Sequence, residues 1–130
     1  MLQKPLGLWA AIAVALTAVP VFAIDESDFE YRTTSNLYNI CSSVPENPKH
    51  ESAVLACRAF IEAAVQYHDA VSDRKQMKRL VCYPNTATIE DGRAAFVAWA
   101  AKHSNDAERM GEAPVLGLVR SLADKYPCKR

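Results

Sequence analysis

The sequence predicts an all-α protein, a small disulfide-stapled bundle of about four helices. From about residue 49 to residue 72 there is no Gly or Pro, and apolar residues recur at intervals of three and four. This spacing places them on one face of a helix. No stretch alternates apolar and polar residues as a strand does, and four cysteines are spread over residues 41–128.

The first predicted helix is short. It follows "IDESDFEYRTTSN" (residues 24–36), a polar stretch with an acidic start that we expect to be extended or loose. Thr34 or Ser35 is the predicted N-cap, because a side-chain oxygen there can accept a hydrogen bond from a free backbone N–H. Leu37, Ile40 and Cys41 then share one face, and a proline-containing loop ends the helix.

The next two predicted helices are longer. Helix three begins after Thr88, which stands three residues before Asp91 in the spacing of a capping box, and it extends to about His103. Helix two carries the inward apolar stripe, which consists of Val54, Cys57, Ile61, Ala64, Val65, His68 and Val71.

A short break precedes the last helix. We expect a helical turn around Asp106–Met110 that ends at Gly111. Helix four starts at Pro114, where the missing N–H of proline does no harm, and Pro127 stops it. Its predicted apolar stripe consists of Val115, Leu118, Val119, Leu122 and Tyr126.

Composition excludes some function classes. The chain has 15 basic and 15 acidic residues, so its formal net charge is zero. Proteins that bind nucleic acids or anionic membranes depend on clustered Lys and Arg. The charge balance therefore argues against both kinds of partner.

The N-terminal 23 residues have the layout of a secretory signal peptide. Lys4 precedes an apolar run from Leu6 to Val19, and small residues lead to a predicted cleavage site after Ala23. The alternative is a membrane anchor, but the run is shorter than the roughly 20 residues that span a bilayer. We therefore expect residues 1–23 to be removed and residues 24–130 to form one exported helical domain that is not bound to the membrane.

The cysteines predict two disulfides. All four follow the predicted cleavage site, and an even number in a small exported chain is typical of disulfides. Zinc is the competing interpretation, but no C-x-x-C pair is present. Short connections make helices three and four antiparallel neighbours, which favours the pairs Cys41–Cys57 and Cys82–Cys128 among three possible connectivities.

The sequence offers no convincing catalytic, metal or cofactor site. Of the three histidines, His50 lies near a loop and His103 closes a helix. His68 lies on the apolar stripe beside Asp69, where a buried histidine that pairs with a neighbour is commoner than a general base. The basic stretch "DRKQMKRL" contains Arg74, Lys75, Lys78 and Arg79; it is either a solvated break between helices or a docking patch for an acidic partner.

The order of motifs resembles the Rap/Tai family of type VI secretion immunity proteins. The similarity extends from about residue 37 to residue 128 and includes "CRAFIEAAVQYHDA", "CYPNTATIEDGRAAFVAWAAKH" and the final "YPC". The chain departs from the family pattern with Ala59 and Ala63 at small Gly positions, Gln66 at an acidic position, Asp91 at a Gln position and Ser104 at a Pro position. The matching residues are Cys57, Phe60, Ile61, Cys82, Pro84, Thr88, Tyr126, Pro127 and Cys128.

The resemblance implies a periplasmic, non-catalytic protein that binds and blocks a secreted effector, often a peptidoglycan amidase. It also implies that a homodimer is possible. No family binding residue maps onto this chain, so we predict the contact from the protruding stretch "SNDAERMGEA", and in particular from Glu108, Arg109, Met110 and Glu112. The alternatives are a periplasmic stress or assembly factor with a chaperone-like binding role, and an enzyme.

Overall fold

The computed structural model describes residues 23–73 and 77–129. The predicted signal peptide, except Ala23, lies outside the described residues, as do Arg74 and Lys75 of the basic stretch. Within the described part all regular structure is helical, as predicted: a 3₁₀ helix Glu26–Glu30, α1 Thr34–Cys41, α2 His50–Asp73, α3 Ile89–Lys102, α4 Ala107–Gly111 and α5 Pro114–Lys125. The four predicted main helices are α1, α2, α3 and α5, and α4 is the predicted helical turn.

Helix α1 lies at the centre of the domain. It contacts the 3₁₀ helix and each of the other α-helices, and its Leu37, Ile40 and Cys41 side chains have no exposed surface. The remaining hydrophobic core is built around it by α2, α3, α5 and the ends of the connecting loops. The fully buried or nearly buried residues that complete this core are Ile24, Ala53, Cys57, Ile61, Val81, Phe96, Trp99, Ala100, Met110, Leu118 and Leu122.

The N-cap of α1 differs from the prediction. Thr33, not Thr34 or Ser35, is the cap: its hydroxyl accepts the N–H of Asn36, and the Asn36 side chain accepts the N–H of Thr33. Thr34 is instead buried and donates from Oγ1 to the carbonyl of Glu112 at 3.2 Å. The predicted cap of α3 is correct, since Thr88 and Asp91 form a reciprocal capping box.

The N-terminal stretch before α1 was expected to be extended or loose, and this prediction is wrong. Residues Glu26–Glu30 form a 3₁₀ helix, and Asp28 is only 3% exposed. Its carboxylate accepts hydrogen bonds from the side-chain amides of Asn36 and Asn39 and from the backbone N–H of Asp25. Because these three donors satisfy the buried carboxylate, a polar stretch can pack against α1.

The disulfides have the pairing that the antiparallel arrangement predicts. Cys41 is joined to Cys57 with their Cα atoms 5.1 Å apart, and Cys82 is joined to Cys128 with theirs 4.9 Å apart. The first bond is buried in the core between α1 and α2. The second ties the chain end to the loop before α3, where the N–H of Cys82 also donates to the carbonyl of Tyr126 at 2.9 Å.

The buried face of α5 differs in part from the predicted stripe. Val115 is 42% exposed, so its assignment to the stripe is wrong. The helix instead turns Gly117, Leu118, Ser121 and Leu122 inward. Gly117 allows α5 to approach α1 closely, because a Cβ atom added there would lie 2.4 Å from Thr34 Cγ2 and 2.7 Å from its Oγ1.

We predict that Gly117→Ala lowers the free energy of unfolding by about 1–3 kcal/mol, the usual cost of overpacking a core. The gain in helix propensity from Gly to Ala, about 1 kcal/mol at most, does not offset a contact with the β-branched Thr34. Chemical denaturation measures the change. Gly111→Ala is the matched control, since no atom lies within 4 Å of its added Cβ; equal effects of the two substitutions would contradict the close approach.

We predict that Cys128→Ser lowers stability by about 4 kcal/mol, because the bond to Cys82 closes a long loop in the unfolded chain. The sequence separation of the two cysteines is 46. Denaturant unfolding gives the stability, and thiol titration of the folded variant should find one newly reactive group at Cys82. A stability equal to that of the parent would show that this bond does not restrain the chain end.

Candidate partner-binding surfaces

The first candidate surface is the α4 turn, which we define as residues 104–113. Asp106 is the N-cap of helix α4, and its side chain accepts the N–H of Arg109 at 3.1 Å. The Arg109 Nε atom also lies 3.3 Å from Asp106 Oδ2. The side chains of Glu108 and Arg109 are exposed. These two residues are therefore open to solvent on a short, capped helix.

The other two predicted contact residues have different surroundings. Met110 is 5% exposed and belongs to the hydrophobic core. Glu112 is half-buried, and its carboxylate forms a bidentate ion pair with Arg120 of α5. The carbonyl of Glu112 accepts the N–H of Thr34 at 2.8 Å. Met110 and Glu112 thus hold the α4 turn against the domain, while Glu108 and Arg109 face outward.

The second candidate surface is the 77–83 segment, the described part of the connection between α2 and α3. Met77 and Leu80 expose 58% and 54% of their surface, and Tyr67 on α2 exposes 70%. The imidazole of His68 reaches this segment: Nε2 accepts the N–H groups of Leu80 at 3.2 Å and Val81 at 3.3 Å. The backbone beneath the exposed Leu80 is therefore fixed to α2.

Ionic groups surround the contact between His68 and the 77–83 segment. Arg79 lies 3.0 Å from Asp73 and 3.3 Å from Asp69, both on α2, and its guanidinium lies over the ring of Tyr83. Tyr83 donates its hydroxyl to Asp69. Of the basic side chains whose surroundings the structure describes here, Arg79 is therefore neutralised within the fold, and Lys78 is exposed to solvent.

This network shifts the pKa values of Asp69, Tyr83 and Arg79, and that of Arg79 is raised chiefly by its hydrogen bond to Asp73. Burial alone would raise the pKa of Asp69, but hydrogen bonds from Tyr83 and His68 and the charge of Arg79 together lower it below its ordinary value. Burial, followed by the hydrogen bond to the Asp69 carboxylate, raises the pKa of Tyr83 to about 12. The protonated phenol and the ionised carboxylate therefore stabilise each other over the neutral pH range.

The histidines are engaged in structural contacts. His50 Nδ1 lies 3.1 Å from Ser43 Oγ, and His103 Nδ1 lies 2.7 Å from the carbonyl of Trp99. Both ring nitrogens of His68 are bonded within the protein, since Nδ1 lies 3.1 Å from Asp69 Oδ1. Among the residues that the structure describes, no three His, Cys, Asp or Glu side chains are grouped as a metal site would require.

Comparison with known families decides the class of protein. The family model of the Rap1a immunity proteins matches residues 33–128. The chain belongs to the Rap1a immunity protein family. The matched region begins at the N-cap of α1 and ends at Cys128, so it contains all five α-helices and both disulfides. The resemblance drawn from the cysteine motifs is therefore confirmed, and the chain is a type VI secretion immunity protein.

Comparisons with curated sequences and with solved structures found no further similar protein. Within residues 23–73 and 77–129, no helix has the length and apolar character needed to cross a membrane. The family assignment of this Rap1a protein thus rests on the helical, doubly cross-linked region described above.

Sequence reasoning missed the interaction that fixes the 77–83 segment. It placed His68 on the inward stripe and expected it to pair with a neighbour beside Asp69, as Nδ1 does, but it gave no partner for the other ring nitrogen. A signal was present, because a polar ring on an apolar helix face needs hydrogen-bonding partners when it is buried. The identity of those partners, two backbone N–H groups of residues 80 and 81, depends on how the connection folds back onto α2.

We predict that Tyr83→Phe lowers the free energy of unfolding by about 1–2 kcal/mol at neutral pH, since a hydrogen bond to a charged acceptor is lost from a partly exposed site. In the parent protein the pKa of Tyr83 is higher in the folded state than in the unfolded state. The contribution of Tyr83 is therefore fully present below the ordinary tyrosine pKa of about 10 and is lost as pH rises through about 12.

Unfolding measured from pH 7 to 12 tests this dependence. The difference between the parent and the Tyr83→Phe variant should shrink above about pH 10. Tyr67→Phe is the matched control because that side chain is largely exposed, and it should change stability by less than about 0.5 kcal/mol. A pH-independent difference would show that the Asp69–Tyr83 bond is not its source.

Proposed function

We propose that this Rap1a protein works in the periplasm, where it binds a cell-wall hydrolase delivered by type VI secretion, in particular a peptidoglycan amidase, and blocks its substrate cleft. The observation that carries the proposal is the family match across residues 33–128. An immunity protein of this kind acts through a rigid complementary surface, and it needs no reacting group of its own.

A non-catalytic role agrees with the arrangement of the polar side chains. The nitrogen atoms of His68 and the carboxylate of Asp69 are used to fix one loop to one helix. A general base must instead reach the proton it removes from a substrate. We therefore assign this cluster to the architecture of the domain and propose that the protein has no enzymatic activity.

A periplasmic location is supported by two features of the chain. The N-terminal sequence has the layout of a cleaved signal peptide up to Ala23. The two disulfides, which include all four cysteines, are stable in an oxidising compartment such as the periplasm. Export followed by oxidation would place the protein where a cell-wall hydrolase acts.

The α4 turn is the proposed contact with the effector. Glu108 and Arg109 are exposed and lie on a helix that is held at its C-terminal end by the buried Met110 and by the Glu112–Arg120 ion pair. Such support lowers the conformational entropy that a loop loses on binding. We propose that Glu108 and Arg109 contact the effector directly, whereas Met110 and Glu112 keep the turn in place.

The test uses as its probe a purified peptidoglycan amidase delivered by type VI secretion, and the genes beside that of this protein are the first place to look for one. Mixing the two purified proteins should give a stable complex and stop peptidoglycan hydrolysis, and light scattering gives the stoichiometry, which also shows whether the Rap1a protein is a monomer or a homodimer. No complex, or hydrolysis by the Rap1a protein alone, would contradict the proposed function.

Charge reversal tests the proposed contact separately. The double variant Glu108→Lys with Arg109→Glu keeps the net charge and should weaken effector binding at least tenfold, which is about 1.4 kcal/mol. The matched control reverses two exposed charges on α2, Arg58→Glu with Glu62→Lys, and should leave binding unchanged. Equal affinities of the two double variants would show that the effector contact does not lie at the α4 turn. They would not contradict the proposed immunity function.

A further inference from the structure

We propose that His68 is a pH-sensitive latch that holds the 77–83 segment against α2 only while its imidazole is neutral. The latch is a property of the fold and does not depend on which effector the protein binds. It concerns the surface formed by Tyr67, Met77 and Leu80, whose side chains are all more than half exposed.

The hydrogen bonds fix the protonation state of the ring. A neutral imidazole has one nitrogen that donates and one that accepts. Nε2 of His68 receives two backbone N–H groups, from Leu80 at 3.2 Å and from Val81 at 3.3 Å. It is therefore the unprotonated nitrogen, and the proton is on Nδ1, which lies 3.1 Å from Asp69 Oδ1.

Protonation removes the acceptor. A proton that binds to Nε2 uses the lone pair that the two N–H groups share, and both nitrogens of the imidazolium become donors. The ring would then direct an N–H toward two other N–H groups and leave them without a partner. Release of the backbone thus accompanies uptake of one proton, so the closed latch is favoured at higher pH and opens as pH falls.

The other charged groups around the ring do not replace the lost bonds. On α2, Asp69 already accepts from Tyr83 and lies 3.3 Å from Arg79, while Asp73 pairs with the same Arg79. Arg79 and Tyr83 face His68 from the segment itself. The Asp69 carboxylate can stay beside Nδ1 of the imidazolium, but it cannot supply an acceptor at Nε2. On the α5 side the cavity next to His68 is lined by the apolar side chains Leu118, Val119 and Leu122.

The release is local because the far end of the segment is held independently. The side chain of Val81 is 2% exposed, and Cys82 is fixed by its disulfide and by its N–H bond to the Tyr126 carbonyl. Before Val81, the side chains of Met77, Lys78 and Leu80 are exposed, whereas Arg79 is held by its ion pairs to Asp69 and Asp73 and by the ring of Tyr83. Opening therefore frees the backbone at Leu80, while the ion pairs of Arg79 still connect the segment to α2.

Amide hydrogen exchange followed by NMR tests the latch in the full, oxidised protein. Protection factors, which correct for the intrinsic effect of pH on exchange, should fall at least tenfold at Leu80 between pH 8 and pH 5, the range in which histidines titrate. One linked proton changes the opening equilibrium by up to tenfold per pH unit. The amide of Cys82, which bonds to a carbonyl that does not titrate, should keep its protection.

Two variants separate the latch from a general loss of stability. His68→Gln offers an amide oxygen that can accept an N–H at any pH, so the protection of Leu80 should no longer depend on pH. His103→Gln alters another helix-bound histidine and should leave the pH response of Leu80 unchanged. If Leu80 in the parent protein keeps its protection at pH 5, or loses it together with Cys82, the proposed latch is wrong.

Discussion

Helix α1 contacts every other helix of the domain, and four of its eight residues, Thr34, Leu37, Ile40 and Cys41, have no exposed surface. A helix this short is not stable alone in water, so it forms because the others enclose it. The Cys41–Cys57 bond joins it to α2, and the Thr34 contacts with Glu112, Ala113 and Gly117 set its distance from α5. The positions of α2, α3 and α5 follow from the need to bury this one helix.

The proposed contact surfaces lie outside that core but are fixed to it. The α4 turn is held through Met110 and through the hydrogen bonds from Thr34, and the 77–83 segment is held through His68 and the Cys82–Cys128 bond. A binding protein benefits from such support, because segments that are already ordered lose less entropy in a complex. A binding role in the Rap1a family is compatible with a fold whose polar groups hold its loops in position.

The polar network beside α2 has a different character from the hydrophobic core. Asp69 accepts hydrogen bonds from two side chains and pairs with a third, and its lowered pKa keeps it ionised near neutral pH. The neighbouring His68 accepts two backbone N–H groups of the 77–83 segment at its Nε2 atom. One short region therefore combines a carboxylate that is ionised near neutral pH with an imidazole acceptor, and the loop that they hold carries apolar side chains toward solvent.

The sequence by itself predicted the α-helices, the Thr88–Asp91 cap and the family, and it favoured the disulfide pairing that the structure has, because each depends on local spacing or on helices that are neighbours along the chain. Only the tertiary structure decided that Met110 is buried, that Val115 is exposed, that Thr33 caps α1 and that Asp28 lies inside. Those outcomes depend on which surface of another element lies opposite each residue. The same holds for His68: its place on an apolar helix face was evident from the helical period, whereas its two backbone donors come from a segment that returns to α2 only in the folded protein.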